Sequence, residues 1–469
     1  MPKKNVIVKK NQKVESVQTL YSRSTIIKRF SELCELNNLM SDDLKPFSIS
    51  KPSLLISSND NNTDPSNRFS FFCTNPTDSL VFYDSNTLHD WQSQLHLSRC
   101  TDNQPSEIPF HSGWLGYFSY PNQCHSIKSL QKKAIAEFNY YSWVICFDHL
   151  NSTLNLLGNP TRLAAQLFKQ LQTLSDPNRP PISDSDNTFS TQGFHSTWNK
   201  SDYEQAFNKI QEYLKSGDCY QINLTQAHKA KYQGQATKLL APLFEQMQPN
   251  FGGYFQGLDV ELISLSPERF ISIDTQGRLE AKPIKGTIRR SHNVSTDQLL
   301  INELINSNKN KAENLMIVDL LRNDLSRSAL LGTVKVEKLF ALESHPNVHH
   351  LVSTISAQLR PEINPALAIS QAFPGGSITG APKIRAMEII NELEAEPRSL
   401  YCGSLGYFSD SGNCDFNILI RNLEFREGII TCWGGGGITI DSEVNDEYEE
   451  SITKIQRIMN IIEKQNPTH

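Results

Sequence analysis

Lys285 stands in Pro283-Ile284-Lys285-Gly286-Thr287, a Pro/Gly-bounded turn after a strand. Such a lysine is either a solvated surface residue or, if buried, a neutral amine able to act as a nucleophile. Glu268, in Ser266-Pro267-Glu268, is either a positioned acid or a plain turn residue. Carboxylates gather at two places: Glu313 opens one helix, and Glu447, Glu449 and Glu450 lie on another, with Lys454 four residues after Glu450. Carboxylates from separate helices can hold Mg²⁺, which keeps several waters and takes oxygens from a substrate. The plainer reading is a solvated acidic face with an i,i+4 ion pair.

Two glycine-bearing stretches could receive a ligand. Thr379-Gly380-Ala381-Pro382-Lys383 follows Gly375-Gly376 and precedes a stripe of Ala386, Met387, Ile390 and Leu393. Proline suits the first helical position, and the free N–H groups of a helix start can hold an anion, although an ordinary capped helix has the same signature. Gly434 to Gly437 lies between Ile429-Ile430 and Ile438-Thr439-Ile440. It is either a flexible link or a place where backbone comes close to a ligand.

Elements must position these residues. Strands are expected at Phe69 to Phe72, Ser142 to Phe147, Cys219 to Thr225, Leu262 to Leu265, Phe270 to Ile273, Gly403 to Phe408, Phe416 to Phe425 and Ile429 to Trp433. Helices are expected at Glu313 to Leu325 and Pro382 to Leu393, and another begins with Ser201 and Glu204 at capping-box spacing and stops at Gly217. Strands and helices do not alternate regularly, so the fold class is α+β, with sheet assemblies rather than a βαβ repeat. A Pro-, Ser- and Asp-rich break between Ser175 and Ser190 separates an N-terminal unit, 1–190, from a C-terminal unit, 196–469.

Composition narrows the class. Charged residues make up 20% and the formal net charge is −5, without the basic excess of a nucleic-acid binder. Nine scattered cysteines with no CxxC pair suit reduced thiols in a cytoplasmic protein. No apolar stretch reads as a signal peptide or a membrane span.

Taken in order, Gly217-Asp218-Cys219-Tyr220-Gln221-Ile222-Asn223-Leu224, Ser264 to Phe270, Pro283 to Thr287, Glu313 to Leu320, Phe373 to Lys383 and Gly434 to Gly437 resemble the chorismate-utilising enzymes. That family includes anthranilate, isochorismate, salicylate and aminodeoxychorismate synthases. The resemblance is strong over about 200 to 460 and weak before it. It implies the family fold: large mixed or antiparallel sheets with helices packed outside, and an N-terminal part like that of anthranilate synthase. Lys285 discriminates within the family, since anthranilate synthases usually carry alanine there while the branch that aminates chorismate at C4 has Pro-Ile-Lys-Gly-Thr.

By position, the resemblance implies Lys285 as a covalent nucleophile at C2, Glu268 as general acid and His350 beside the substrate ring. Thr287, Gly380, Ala381, Tyr401, Arg421, Gly435, Gly437 and Lys454 are implied substrate contacts, and Glu313, Glu447 and Glu450 the Mg²⁺ shell. Asn310 replaces a second acidic residue of that shell. Gln221 takes the place of a lysine that activates water in isochorismate and salicylate synthases; a glutamine cannot be that base. Ser57, Arg68, Phe69, Asn250, Phe251 and Gly252 resemble a tryptophan pocket, although Ile56 replaces the glutamate of feedback-regulated relatives. No Gly-x-Cys-x-Gly elbow is present, so ammonia is expected from a separate glutamine amidotransferase subunit in a heterodimer, for 4-aminobenzoate and folate biosynthesis. The competing expectations are anthranilate formation and a catalytically inactive binding protein.

Overall fold

The computed structural model describes residues 15–18, 22–39, 49–56, 68–83, 95, 107–121, 133–173, 189–345 and 348–466. Ser57, Cys100, Cys124 and most of the break between Ser175 and Ser190 lie outside the described residues. The remaining seven cysteines are free and buried. No described helix is long and apolar enough to cross a membrane.

Two antiparallel sheets dominate the described residues. The first has 13 strands, in the order Glu15–Gln18, Thr153–Gly158, Trp143–Asp148, Phe69–Cys73, Ser53–Ile56, Phe251–Gln256, Glu261–Ser266, Asn422–Arg426, Ile429–Ile438, Gln221–Gln233 and His195–Ser196, with Gly380–Ala381 and Ser190–Thr191 also paired to Gln221–Gln233. The second has 10, in the order Ile284–Arg289, Val348–Gln358, Arg278–Ala281, Arg269–Ile273, Cys414–Asn417, Ser404–Ser409, Gly113–Phe118, Ala136–Tyr141 and Asp78–Phe82, with Lys335–Ser344 along Val348–Gln358. Both sheets take strands from before and after residue 190, so the two sequence units are interleaved.

The period of two assigns the faces. In Trp143–Asp148, Trp143, Ile145 and Phe147 pack under helices Arg23–Leu39, Leu240–Met247 and Val444–Glu463. Val144 and Cys146 point the other way, into a layer shared with Leu115, Tyr117, Leu405 and Tyr407 of the second sheet. The far face of that second sheet, with Phe118, Phe408 and Phe416, is covered by Asn308–Ser326 and Pro365–Ala372. Helices therefore lie outside two stacked sheets, as expected.

Several local expectations shift. The helix Lys200–Ser216 is capped by Asn199 and Asp202, not by Ser201 and Glu204, because both pairs have the same spacing but the Asn199 side chain accepts from Asp202 N–H. Gly217 ends it in the left-handed region, at φ 81°. Glu313 lies in the second turn of Asn308–Ser326, whose N-cap is Ser307. Pro382 is the extended N-cap of Lys383–Leu393 rather than its first helical residue. The expected strand from Phe416 to Phe425 is two strands in different sheets, joined through residues 418–421.

Candidate active site

The four-glycine run is strand, not a link: Ile429–Ile438 pairs residue by residue with Gln221–Gln233 through Gly434 to Gly437. A Cβ on Gly434 would stand 2.1 Å from the Ser451 carbonyl, and one on Gly435 2.5 Å from the Leu224 carbonyl. The glycines let helix Val444–Glu463 and the neighbouring strand close on this backbone.

That closeness gathers the carboxylates. A Cβ on Gly436 would lie 2.9 Å from Glu447 Oε2 and 3.8 Å from Glu450 Oε1. Ser442 donates to Glu447 at 2.7 Å, yet burial raises the Glu447 pKa. Lys454 pairs with Glu450 at 2.7 Å and donates to the Gly435 carbonyl at 2.9 Å. The expected i,i+4 ion pair and the expected carboxylate site are thus one place. Among the described residues no three carboxylate, imidazole or thiolate groups converge on a point. The all-oxygen pair over Gly436 nonetheless suits a hard cation that completes its shell with water and substrate, and a Cβ would fill the cradle.

Lys285 lies in strand Ile284–Arg289, not in a turn. Pairing with Val348–Gln358 shifts register between Ile284 and Thr287, and Gly286 there has φ 89°. Such a bulge re-aims a side chain. A Cβ on Gly286 would meet Asn310 at 3.0 Å and Leu304 at 3.1 Å, so the bulge also seats the helices that follow. Burial lowers the Lys285 pKa; Glu313, Glu268 and Glu450 oppose that, and Lys454 adds to it. The amine is therefore within electrostatic reach of the expected acid and two of the expected metal carboxylates.

Glu268 occupies the crossing from Glu261–Ser266 in the first sheet to Arg269–Ile273 in the second. Burial pushes its pKa up to about 7, against the pull of Lys285, hydrogen bonds from Ser377 and the Ile284 backbone, and Arg421. Arg421 sits on the return crossing, in the left-handed region at φ 54°. The two crossings touch, since Ile418 N–H donates to the Glu268 carbonyl at 3.1 Å. His350 is opposite Thr287, and its Nδ1 is hydrogen-bonded to Thr287 Oγ1 at 2.8 Å. Burial lowers the imidazole to about 3, leaving it neutral at ordinary pH.

Of the remaining expected contacts, Tyr401 lies within electrostatic reach of Arg421. Tyr401 stacks on Trp433, with centroids 5.8 Å apart. Gly380, at φ 150°, would put a Cβ 2.2 Å from the Gln221 carbonyl, so the Gly380-Ala381 backbone runs tight against that strand. The Gln221 side chain is buried beside Gly437, and neither amide atom has a hydrogen-bond partner. Lys383, at the expected anion-holding helix start, is taken up by Asp324 at 2.6 Å and the Ala372 carbonyl. Ser377, bonded to Glu268, was inside the Phe373 to Lys383 motif but carried no signal of its own.

A separate cavity of about 740 Å³ is lined by Phe69, Asn250, Phe251 and Gly252 with Leu55, Ile56 and Tyr407. It brings together four residues of the expected tryptophan pocket, and Lys285, Glu268 and His350 do not line it. Arg68 lies 4.7 Å over the Phe69 ring and pairs with Asp148 at 2.7 Å and Glu107 at 2.9 Å.

Comparison with known proteins agrees with this geometry. The chain matches the family described as chorismate binding enzyme over residues 53–460. It is 41% identical over 372 residues to aminodeoxychorismate synthase component 1 of Escherichia coli strain K12, covering 78% of this chain and 80% of that protein. The protein of the same name from Salmonella typhimurium is 38% identical over 400 residues, covering 83% and 85%. Among solved structures, anthranilate synthase component I from Streptococcus pneumoniae superposes with a TM-score of 0.71 at 26% identity, over 84% of this chain and 92% of that one. The chain belongs to the family of chorismate-binding enzymes and is a chorismate-converting enzyme.

Proposed function

We propose that the protein aminates chorismate at C4, giving 4-amino-4-deoxychorismate with ammonia from a separate glutamine amidotransferase subunit, as a step toward 4-aminobenzoate and folate. The observation that carries this reading is the buried Lys285 at the Gly286 bulge, within electrostatic reach of Glu268, Glu313 and Glu450. The curated relatives named component 1 support a partner subunit.

Direct exchange of hydroxide for ammonia at one carbon is hard. Two allylic displacements are easier. The neutral Lys285 amine bonds to C2 and the ring double bonds shift toward C4. The C4–O bond breaks, and the hydroxyl leaves as water with the Glu268 proton. Lys285 then returns a proton to Glu268. Ammonia attacks C4, the double bonds shift back and the C2–N bond breaks. Glu268 protonates the departing lysine and accepts a proton from the new C4 ammonium, which resets both groups.

The other residues orient the substrate. Arg421, Tyr401, Lys454 and the Gly435 and Gly437 backbone hold its carboxylates, and neutral His350, fixed by Thr287, sits beside the ring. Glu447 and Glu450, the pair over Gly436, would hold Mg²⁺, with Glu313, which does not converge with them, as a further expected ligand, and the ion when bound would neutralise the ring carboxylate. Gln221 cannot generate hydroxide, which disfavours water as the nucleophile.

The structural likeness to an anthranilate synthase makes anthranilate the competing product. Incubating the purified chain with chorismate, Mg²⁺ and ammonium, then separating products, decides between them. Aminodeoxychorismate is expected. Anthranilate, or turnover of glutamine by the chain alone, contradicts the proposal.

A further inference from the structure

We propose that the buried pair Arg398–Glu394 is a positioning device that sets the backbone on which chorismate is held; the inference rests on the proposed reading of the site. Arg398 is 1% exposed, and the Glu394 side chain 4%. Their contact is bidentate, with Nη2 to Oε1 at 2.6 Å and Nε to Oε2 at 2.8 Å. The same guanidinium donates to the Ile378 carbonyl at 2.9 Å and the Asn223 carbonyl at 2.7 Å, and lies 4.8 Å over the Tyr120 ring. Glu394 Oε1 also accepts from Thr225 N–H at 3.1 Å and Thr225 Oγ1 at 2.8 Å.

Each of these bonds ends beside an expected substrate contact. Ile378 leads into Thr379-Gly380-Ala381, and Asn223 N–H donates to the Thr379 carbonyl at 2.8 Å. Asn223 pairs with Gly437, and Thr225 with Gly435. Tyr401 N–H donates to the Arg398 carbonyl at 3.0 Å. Glu394 is the C-cap of the helix Lys383–Leu393, whose start follows Gly380-Ala381, so the pair ties both ends of that segment. One ion pair thereby fixes three pieces of chain relative to one another: the strand carrying Gln221, the loop carrying Gly380 and the turn carrying Tyr401.

Stability does not account for such a pair, because replacing a buried ion pair by packed apolar side chains is often neutral or favourable. Registration does. A planar fork reaching two carbonyls and a carboxylate at once sets angles as well as distances, and a lysine cannot reproduce it. Small displacements of positioning groups are costly to catalysis.

The test compares wild type with the double variant Arg398→Met/Glu394→Leu and with Arg398→Lys. Thermal melting, chorismate affinity by calorimetry, and kcat and KM with ammonia are measured. The double variant should melt below wild type, because the Ile378 and Asn223 carbonyls and Thr225 lose their partners, and while folded should bind chorismate about 30-fold more weakly and lose about tenfold in kcat. Arg398→Lys should be impaired in the same direction. Wild-type affinity and kcat in the folded double variant overturn the proposal. If the double variant does not fold, wild-type affinity and kcat in Arg398→Lys overturn it. Should the wild-type protein bind chorismate but release another product, the amination reading fails while the affinity comparison still decides this one.

Discussion

Glu268 and Lys285 lie near enough to feel one another's charge, and burial displaces both toward their neutral forms. Glu268 rises to about 7 while Lys285 falls, even though their mutual attraction opposes both shifts. A raised carboxyl and a lowered amine are displaced in the directions that an acid and a nucleophile require. This pairing arises because the chain crosses between sheets at Glu268 and bulges at Gly286.

The acid should cost stability. A carboxyl raised to about 7 in the folded state favours folding while protonated, and that benefit is lost between the unfolded value of 4.5 and about 7. Glu268→Gln should therefore be more stable than wild type at pH 8 by about 3 kcal/mol, with the difference closing by pH 4. Chemical denaturation at the two pH values measures this. An unchanged difference between them would mean that Glu268 is not held protonated.

The same pKa should appear in the rate. Turnover at a fixed concentration of free ammonia should fall about tenfold per unit above about pH 7, as the acid ionises. Raw rates at fixed total ammonium should instead be nearly flat from about pH 7 to about pH 9, because free ammonia grows about tenfold per unit and offsets that loss. A rate that is flat from pH 6 to pH 9 at constant free ammonia removes Glu268 as the acid.

Gly436 offers a test of the metal site without touching a ligand. In Gly436→Ala the new methyl would fall 2.9 Å from Glu447 Oε2, inside the carboxylate pair. Activity should drop at least about 100-fold at low Mg²⁺, and Glu313→Gln and Glu450→Gln should be inactive. Calorimetric titration with Mg²⁺ in the presence of chorismate gives a second readout. Full activity in excess EDTA would contradict the metal role.

The cavity around Phe69, Asn250, Phe251 and Gly252 is separate from the reacting groups. Ile56 is buried beside it, opposite Gly252, and places no carboxylate there to receive an ammonium group. Tryptophan should consequently leave turnover unchanged, whether or not calorimetry detects binding. Strong inhibition by tryptophan would show that the cavity communicates with the active site.

Much of this was legible in the sequence, for identifiable reasons. Trp143-Val144-Ile145-Cys146-Phe147 is an unbroken apolar run, so that strand announces itself as one buried on both faces, and only the structure assigns alternate residues to two layers. Glu268, Glu313 and Glu450, singled out with Lys285 by the family resemblance, all lie within electrostatic reach of it. The bulge at Gly286 was hidden, since Pro-Ile-Lys-Gly-Thr has the composition of a turn and only its mismatch with Val348–Gln358 makes it a strand. Gly434 to Gly437 has no side-chain period at all; Ser451 and Glu447, packed against it from a distant helix, reveal why it is glycine. Arg398 and Glu394 have the i,i+4 spacing of a solvated surface pair, and nothing local distinguishes them from one.

Mass spectrometry of the intact and digested protein, quenched during incubation with chorismate and Mg²⁺ and without ammonia, tests the covalent role of Lys285 most directly. An adduct equal in mass to chorismate less one water is expected on the peptide containing Lys285. Added ammonia should discharge it as aminodeoxychorismate, and neither Lys285→Ala nor Lys285→Arg should form it. No adduct in the wild type, together with wild-type rates for Lys285→Ala, would contradict the account and leave Lys285 a specificity residue only.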